Sequence, residues 1–234
     1  MEQRSAVGAA PAIEELLAHP PILHGSVTHG LTDAALRWIA ALPAPLRTLE
    51  TGCGLSTVVF AARGDEHTCI TYAQSEEDAV RAYCEKQGID LGTVTFVIER
   101  SEVALPRLAD DPLDMVLIDG SHAFPHVFVD WMYSAPRLEV GGSLVIDDVH
   151  LWTGKVLREF LASEPEWELL DEWGGRTTAF RKRSETPFRD WYEQPFVLRR
   201  STPLATRLRM SRSLLRQGDI ATLRRLAGQV LRRD

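Results

Sequence analysis

Between residues 46 and 181, short apolar runs alternate with amphipathic helical patterns, and that alternation restricts the chain to an α/β fold built on a mostly parallel sheet. The spacing predicts parallel strands over residues 46–51, 68–72, 94–98, 115–119 and 143–147. Helices are expected over 57–61, 76–87, 103–108, 124–135 and 154–163. Thr32-Asp33 opens an earlier helix that Pro43 and Pro45 stop, and Gly141-Gly142 is expected to turn the chain into the fifth strand. Residues 167–173 and 177–181 read as a closing hairpin around Gly174-Gly175. Residues 184–203 read as irregular chain and 204–232 as helical.

The 234 residues are 44% hydrophobic and 25% charged, enough to bury a sizeable core in one domain with extensions. No run of 18 apolar residues is present, which argues against a membrane span. The first eleven residues lack the basic and apolar regions of a secretory signal. Cys53, Cys69 and Cys84 are odd in number and lack metal-type spacing, so a reduced, cytoplasmic protein is expected. The net charge of −7 is unevenly spread: residues 197–234 hold ten arginines against two aspartates, a local +8. A basic tail can bind anionic partners, but this one has no aromatics to stack on bases. An amphipathic helix packed on the acidic body is preferred, nucleic acid is disfavoured, and self-association through the C-terminal helices is expected.

Three short motifs carry the chemistry. The first strand runs into Glu50-Thr51-Gly52-Cys53-Gly54-Leu55-Ser56. Glycines there let the backbone turn tightly and let a ligand approach it, and the helix that follows offers free N–H groups. Glu50 at the strand end could accept a hydrogen bond from an ammonium or hydroxyl group. No Gly-Lys-Ser/Thr follows, so this is no Walker loop, and Ser56 stands where a dinucleotide fingerprint has its third glycine. Leu117-Ile118-Asp119-Gly120 and Ile146-Asp147-Asp148 end two strands expected to be neighbours, about 4.8 Å apart. Carboxylates converging at such a rim repel one another, and Mg²⁺, which prefers oxygen ligands, would relieve that. Alternatively, one aspartate caps the next helix and another binds the cofactor amine.

The glycine loop resembles the first motif of class I S-adenosylmethionine-dependent methyltransferases. The later order, Leu117-Ile118-Asp119-Gly120-Ser121-His122, then Leu138-Glu139-Val140-Gly141-Gly142, then Ile146-Asp147-Asp148, resembles the metal-dependent O-methyltransferases of catechol and macrolide-sugar type, over residues 25–183. The fold implied is Rossmann-like and doubly wound, a mostly parallel seven-stranded sheet with a C-terminal antiparallel hairpin and a helical basic tail. Residues 31–183 would form the methyltransferase domain, between an N-terminal extension over 1–30 and a C-terminal one over 184–234. The resemblance implies that S-adenosylmethionine is held by Glu50, Gly52, Gly54 and Ser56, with Ser101, Glu102 and Asp119 also on it, Ser101-Glu102 beside the adenine. Relatives carry an acid at the end of the second strand for the ribose; here Gln74 or Ser75 would substitute. Mg²⁺ would be held by Asp119, Asp147 and Asp148.

In that reading Mg²⁺ stabilises the deprotonated hydroxyl of a small acceptor, a sugar or a catechol-type diol of a natural product, and a base removes its proton. His150, two residues after Asp148, resembles the histidine base of sugar-type enzymes and is preferred. His122 occupies the place of the lysine base in catechol-type relatives, and could instead orient Asp119 or the helix start. Trp152, just past His150, is expected in the acceptor pocket. The alternative function is a catalytically silent module of the same fold that binds a partner protein through its basic tail.

Overall fold

The computed structural model describes residues 12–23, 26–27, 30–185, 189–201, 204–222 and 224. In chain order the elements are α1 (Ile13–Ala18), β1 (Ile22–Leu23), β2 (Ser26–Val27), α2 (Asp33–Ala40), β3 (Arg47–Thr51), α3 (Leu55–Arg63), β4 (Glu66–Thr71), α4 (Gln74–Gln87), β5 (Val94–Ile98) and α5 (Ser101–Ala104). They continue with β6 (Leu113–Ile118), α6 (His126–Ser134), β7 (Leu138–Ile146), α7 (Trp152–Ser163), β8 (Trp167–Trp173), β9 (Thr177–Lys182), α8 (Pro195–Ser201) and α9 (Leu204–Gln217). Among the described residues β1 and β2 pair only with each other.

The main sheet has seven strands in the order β5-β4-β3-β6-β7-β9-β8. The first five pair in parallel, and β9 runs antiparallel to both β7 and β8. The parallel strands read as unbroken apolar runs because both their faces are covered. Leu36, Ile39, Val58, Phe60 and Val80 pack one face from α2, α3 and α4, and Val127, Leu157 and Leu161 pack the other from α6 and α7. After β3 the chain lays β4 and β5 outward on one side, then returns to place β6 and β7 on the other. The carboxyl ends of β3 and β6 therefore flank the point where strand order reverses, and in open α/β sheets that is where a crevice forms.

Two expected boundaries differ. Gly141-Gly142 does not end a turn but lies within β7, which starts at Leu138. A Cβ on Gly142 would stand 2.8 Å from Leu138 Cδ1 and 2.9 Å from Asp114 O, so the glycine lets β7 pass β6 through a register shift between Leu113 and Met115. The stretch expected to be irregular contains α8, whose Phe196 packs edge-on against Phe160 of α7 with ring centroids 5.6 Å apart. Arg200 lies over Phe196 and pairs with Glu159 at 2.5 Å, and Arg189 pairs with Glu164 at 3.0 Å. This start of the C-terminal extension thus spends its arginines on the acidic body. The tail helix reaches Gln217, and residues 225–232, also expected to be helical, lie outside the described residues. Among the described residues no helix is long and apolar enough to cross a membrane.

Candidate active site

A cleft of about 770 Å³ opens at the reversal point. Its floor is the glycine loop between β3 and α3. Gly52 has φ +100°, a conformation only glycine adopts without strain, and a Cβ there would stand 2.3 Å from Asp119 O. The loop therefore lies directly on the end of β6, and Gly52, Gly54, Ser56 and Asp119 all line the cleft, as do Ser101 and Glu102 at its far wall.

Glu50 does not. It is fully buried behind the loop, where Ser56 Oγ donates to Oε2 at 2.7 Å, Thr57 Oγ1 donates to Oε1, and His67 Nε2 lies 3.0 Å from Oε1. Side chains alternate across a strand, so with Thr51 facing the cleft, Glu50 faces α3. Its work is to brace the loop from beneath, not to reach a ligand. Thr57 Oγ1 completes the brace by accepting from Gly54 N–H at 3.0 Å.

Gln74 and Ser75 are also absent from the cleft wall. Both lie on α4 away from it, where Gln74 Nε2 donates to Glu77 at 2.8 Å and Asp78 at 3.0 Å. The acid on that wall is Glu76, in the first turn of the helix, with Thr71 Oγ1 at the end of β4 donating to its carboxylate. A cleft-facing carboxylate is thus present, displaced from the strand end into the first turn of α4, where the helix dipole favours it.

The lining decides the kind of ligand. Among the described residues the carboxylates Asp33, Glu76, Glu99 and Glu102 and the carboxyl of Asp119 face the cleft against a single guanidinium, Arg100, which Glu102 holds at 2.6 Å. Such a wall attracts a cationic nucleoside and repels a pyrophosphate. Burial, then the nearby Asp147, Glu50 and Asp148 carboxylates, push the Asp119 carboxyl well above its ordinary range, while Arg176 pulls it back. A raised acid favours the neutral form in the fold, so its stabilising contribution is whole below about pH 4 and is lost as pH rises through the higher folded value. Asp119→Asn is therefore expected to raise the melting temperature of the ligand-free chain by a few degrees at pH 8 and to leave it nearly unchanged at pH 4, by thermal denaturation at both pH values.

Beyond Asp119 the two other aspartates do not point into a common cage with it. Asp147 is 1% exposed, and its Oδ1 accepts from Thr177 Oγ1. Arg176 Nη2 lies 3.5 Å from Asp147 Oδ2, and Arg176 Nε 2.9 Å from Asp148 Oδ1. His122 Nε2 is 2.9 Å from Asp148 Oδ2, and His150 Nδ1 is 3.6 Å from Asp148 Oδ1. Octahedral Mg²⁺ at about 2.1 Å from each ligand needs their oxygens within about 4.2 Å of one another. Among the described residues the one group of three whose ligand atoms lie within 4.8 Å is Glu50, His67 and Cys69, not the aspartates. Asp119, Asp147 and Asp148 as arranged do not fit Mg²⁺. Nor does the other group: both His67 nitrogens are engaged, by Thr48 and Glu50, and burial pushes the Cys69 thiol far above its ordinary range, so no thiolate is on offer.

Of the two histidines, His122 lines the cleft and is a quarter exposed, while His150 is half exposed and outside it. Thr153 Oγ1 donates to His122 O at 2.7 Å, fixing that loop to α7. Trp152 lies outside the cleft wall, beside Phe124 with centroids 6.4 Å apart; both rings are about two-thirds exposed.

Residues 49–149 match the family model of a methyltransferase domain. Among solved structures the chain is similar to the cofactor-bound Rv0187 from MTB, at 20% identity and a TM-score of 0.56 over 78% of this chain and 94% of that one. A protein of Staphylococcus aureus provisionally assigned as a caffeoyl-CoA O-methyltransferase aligns at 17% identity and 0.55 over 74% and 92%. The O-methyltransferase TomG from Streptomyces achromogenes, in complex with S-adenosylmethionine, aligns at 18% and 0.53 over 78% and 92%. At these identities the likenesses show the fold alone, a Rossmann-like α/β fold with a mostly parallel seven-stranded sheet. No curated protein sequence matches the chain significantly.

Proposed function

We propose that this chain, which carries a methyltransferase domain over residues 49–149, transfers a methyl group from S-adenosylmethionine to a hydroxyl of a small acceptor. The observation that carries this reading is the cleft: four carboxylates beside the Asp119 carboxyl and a glycine loop too close to β6 for any side chain, with no cluster of cationic groups for phosphates among the described residues. When bound, S-adenosylmethionine supplies an electrophilic methyl group on a sulfonium. Gly52, Gly54 and Ser56 would hold its amino-acid part, Glu76 its ribose, and Ser101 and Glu102 its adenine side.

The acceptor oxygen needs its proton removed, and His122 is suited to remove it. With Nε2 facing Asp148, the carboxylate favours the tautomer protonated there and leaves Nδ1 to take the hydroxyl proton. Asp148 stabilises the imidazolium that results. The acceptor, a sugar or a catechol-type diol, would reach His122 from the cleft that this histidine lines.

Titration calorimetry with S-adenosylhomocysteine tests the reading. The chain is expected to bind it, and Glu76→Ala to weaken binding about 10- to 100-fold, the worth of a hydrogen bond to a charged group. No heat from the intact chain would sink the proposal.

A further inference from the structure

We propose that Arg176 stands in the place of a divalent cation, so that this chain is a metal-independent member of its fold in which a guanidinium joins Asp147, Asp148 and, through Asp148, His122. The inference rests on the methyl-transfer reading above for the role of His122, but its geometry is independent of it.

Four features hold Arg176 there. Its guanidinium lies at ion-pair distance from both aspartates, Nε 2.9 Å from Asp148 Oδ1 and Nη2 3.5 Å from Asp147 Oδ2, without hydrogen-bond geometry to either oxygen. Its neighbour Thr177 takes the other oxygen of Asp147, so the start of β9 engages both sides of that carboxylate. The backbone is tied to the same spot: Val149 N–H donates to Arg176 O at 2.8 Å. The β8–β9 turn that delivers it runs through Gly174 and Gly175, at φ 60° and 63°, so the tight return to the tip of β7 is built on two glycines.

Asp148 answers from the other side. It has φ 52°, and among the described residues it is the one non-glycine in the left-handed region. Such a conformation costs free energy and persists where surrounding contacts demand it. Here it is accompanied by Gly154, where a Cβ would stand 2.7 Å from Asp148 O, so α7 starts hard against the strained residue. The result presents Asp148 to Arg176, His122 and His150 together.

Arginine suits this place better than lysine would. Its charge is permanent and it is weakly hydrated, so it can sit between two carboxylates as an ion-pair partner in a partly closed site. A metal ion added to the same aspartates would have to approach the guanidinium that already pairs with them. Arg176 is thus a positioning residue: it fixes Asp148, and Asp148 fixes the imidazole.

The test uses the full chain with S-adenosylhomocysteine present and Mn²⁺ as a paramagnetic stand-in for Mg²⁺, followed by electron paramagnetic resonance of the free ion. The intact chain is expected to leave millimolar Mn²⁺ free. Arg176→Ala is expected to bind Mn²⁺ at least about tenfold more tightly, since it uncovers paired carboxylates, and Arg176→Ala with Asp147→Ala to lose that gain. Arg176→Lys, which keeps the positive charge, is expected to gain none, a split that a merely structural role would not give. Uptake of Mn²⁺ by the intact chain that Asp147→Ala abolishes would overturn the inference, whether or not the Arg176 variants fold. So would a folded Arg176→Ala that gains no affinity. Calorimetry with S-adenosylhomocysteine alone reads the methyl-donor cleft separately, so failure there and failure here are distinguishable.

Discussion

Gly52→Ala should abolish measurable S-adenosylhomocysteine binding and lower the stability of the chain by about 3 kcal/mol, some 6–12 °C in melting temperature for a domain of this size. Two costs add. At φ +100° an alanine is strained by roughly 1–2 kcal/mol before any contact is considered. Its Cβ would then stand 2.3 Å from Asp119 O and 2.9 Å from Asp119 C, both backbone atoms that cannot swing away. The loop must lift off β6, and the brace beneath it resists, because Glu50, Ser56, Thr57 and His67 hold its underside in a buried network. A lifted loop carries the backbone groups of Gly52 and Gly54 into the space a ligand needs. Calorimetry and thermal denaturation of the same preparation check both effects. Retained affinity within about threefold would show that the loop does not hold the ligand.

How much of the fold and site is legible in the sequence follows from how local each signal is. The glycine loop, the aspartates at the ends of β6 and β7, and the β8–β9 hairpin around Gly174-Gly175 are written in contiguous residues, and each stands where its pattern points. What a strand-end residue faces is another matter. Glu50 and Thr51 are adjacent, and only the register of β3 between β4 and β6 decides that Thr51 meets the cleft while Glu50 turns under α3. The ribose-side acid escapes the sequence for a similar reason. The strand-end pattern points to Gln74 or Ser75, but α4 begins at Gln74 and its first turn carries Glu76 back over Thr71. Arg176 has no local mark at all. It lies 28 residues beyond Asp148 in a turn whose target is set by β9 pairing antiparallel to β7, and a sequence motif for carboxylates says nothing about which cation will meet them. The two histidines both follow an aspartate closely in the chain, and the fold separates them, leaving His122 in the cleft and His150 largely in solvent.

That separation leads to the second large effect. His122→Ala should lower kcat for methyl transfer to a hydroxylated acceptor by about 10²–10⁴-fold, the usual worth of a positioned general base. Affinity for S-adenosylhomocysteine should stay within about threefold, because the loop and Glu76, not the imidazole, are expected to carry the ligand. His150→Ala, which removes a half-exposed ring 3.6 Å from Asp148 Oδ1, should cost far less. His122→Gln keeps a polar side chain beside Asp148 but cannot accept and release a proton near neutral pH, so it should be as slow as the alanine variant. A purely orienting role would instead leave His122→Gln close to the intact chain. The measurement is single-turnover methyl transfer from labelled S-adenosylmethionine to a panel of catechols and vicinal-diol sugars, run with and without chelator. Should His150→Ala prove the slower variant, proton removal would belong to the solvent side of Asp148, and the acceptor would have to approach over Trp152 instead of from the cleft.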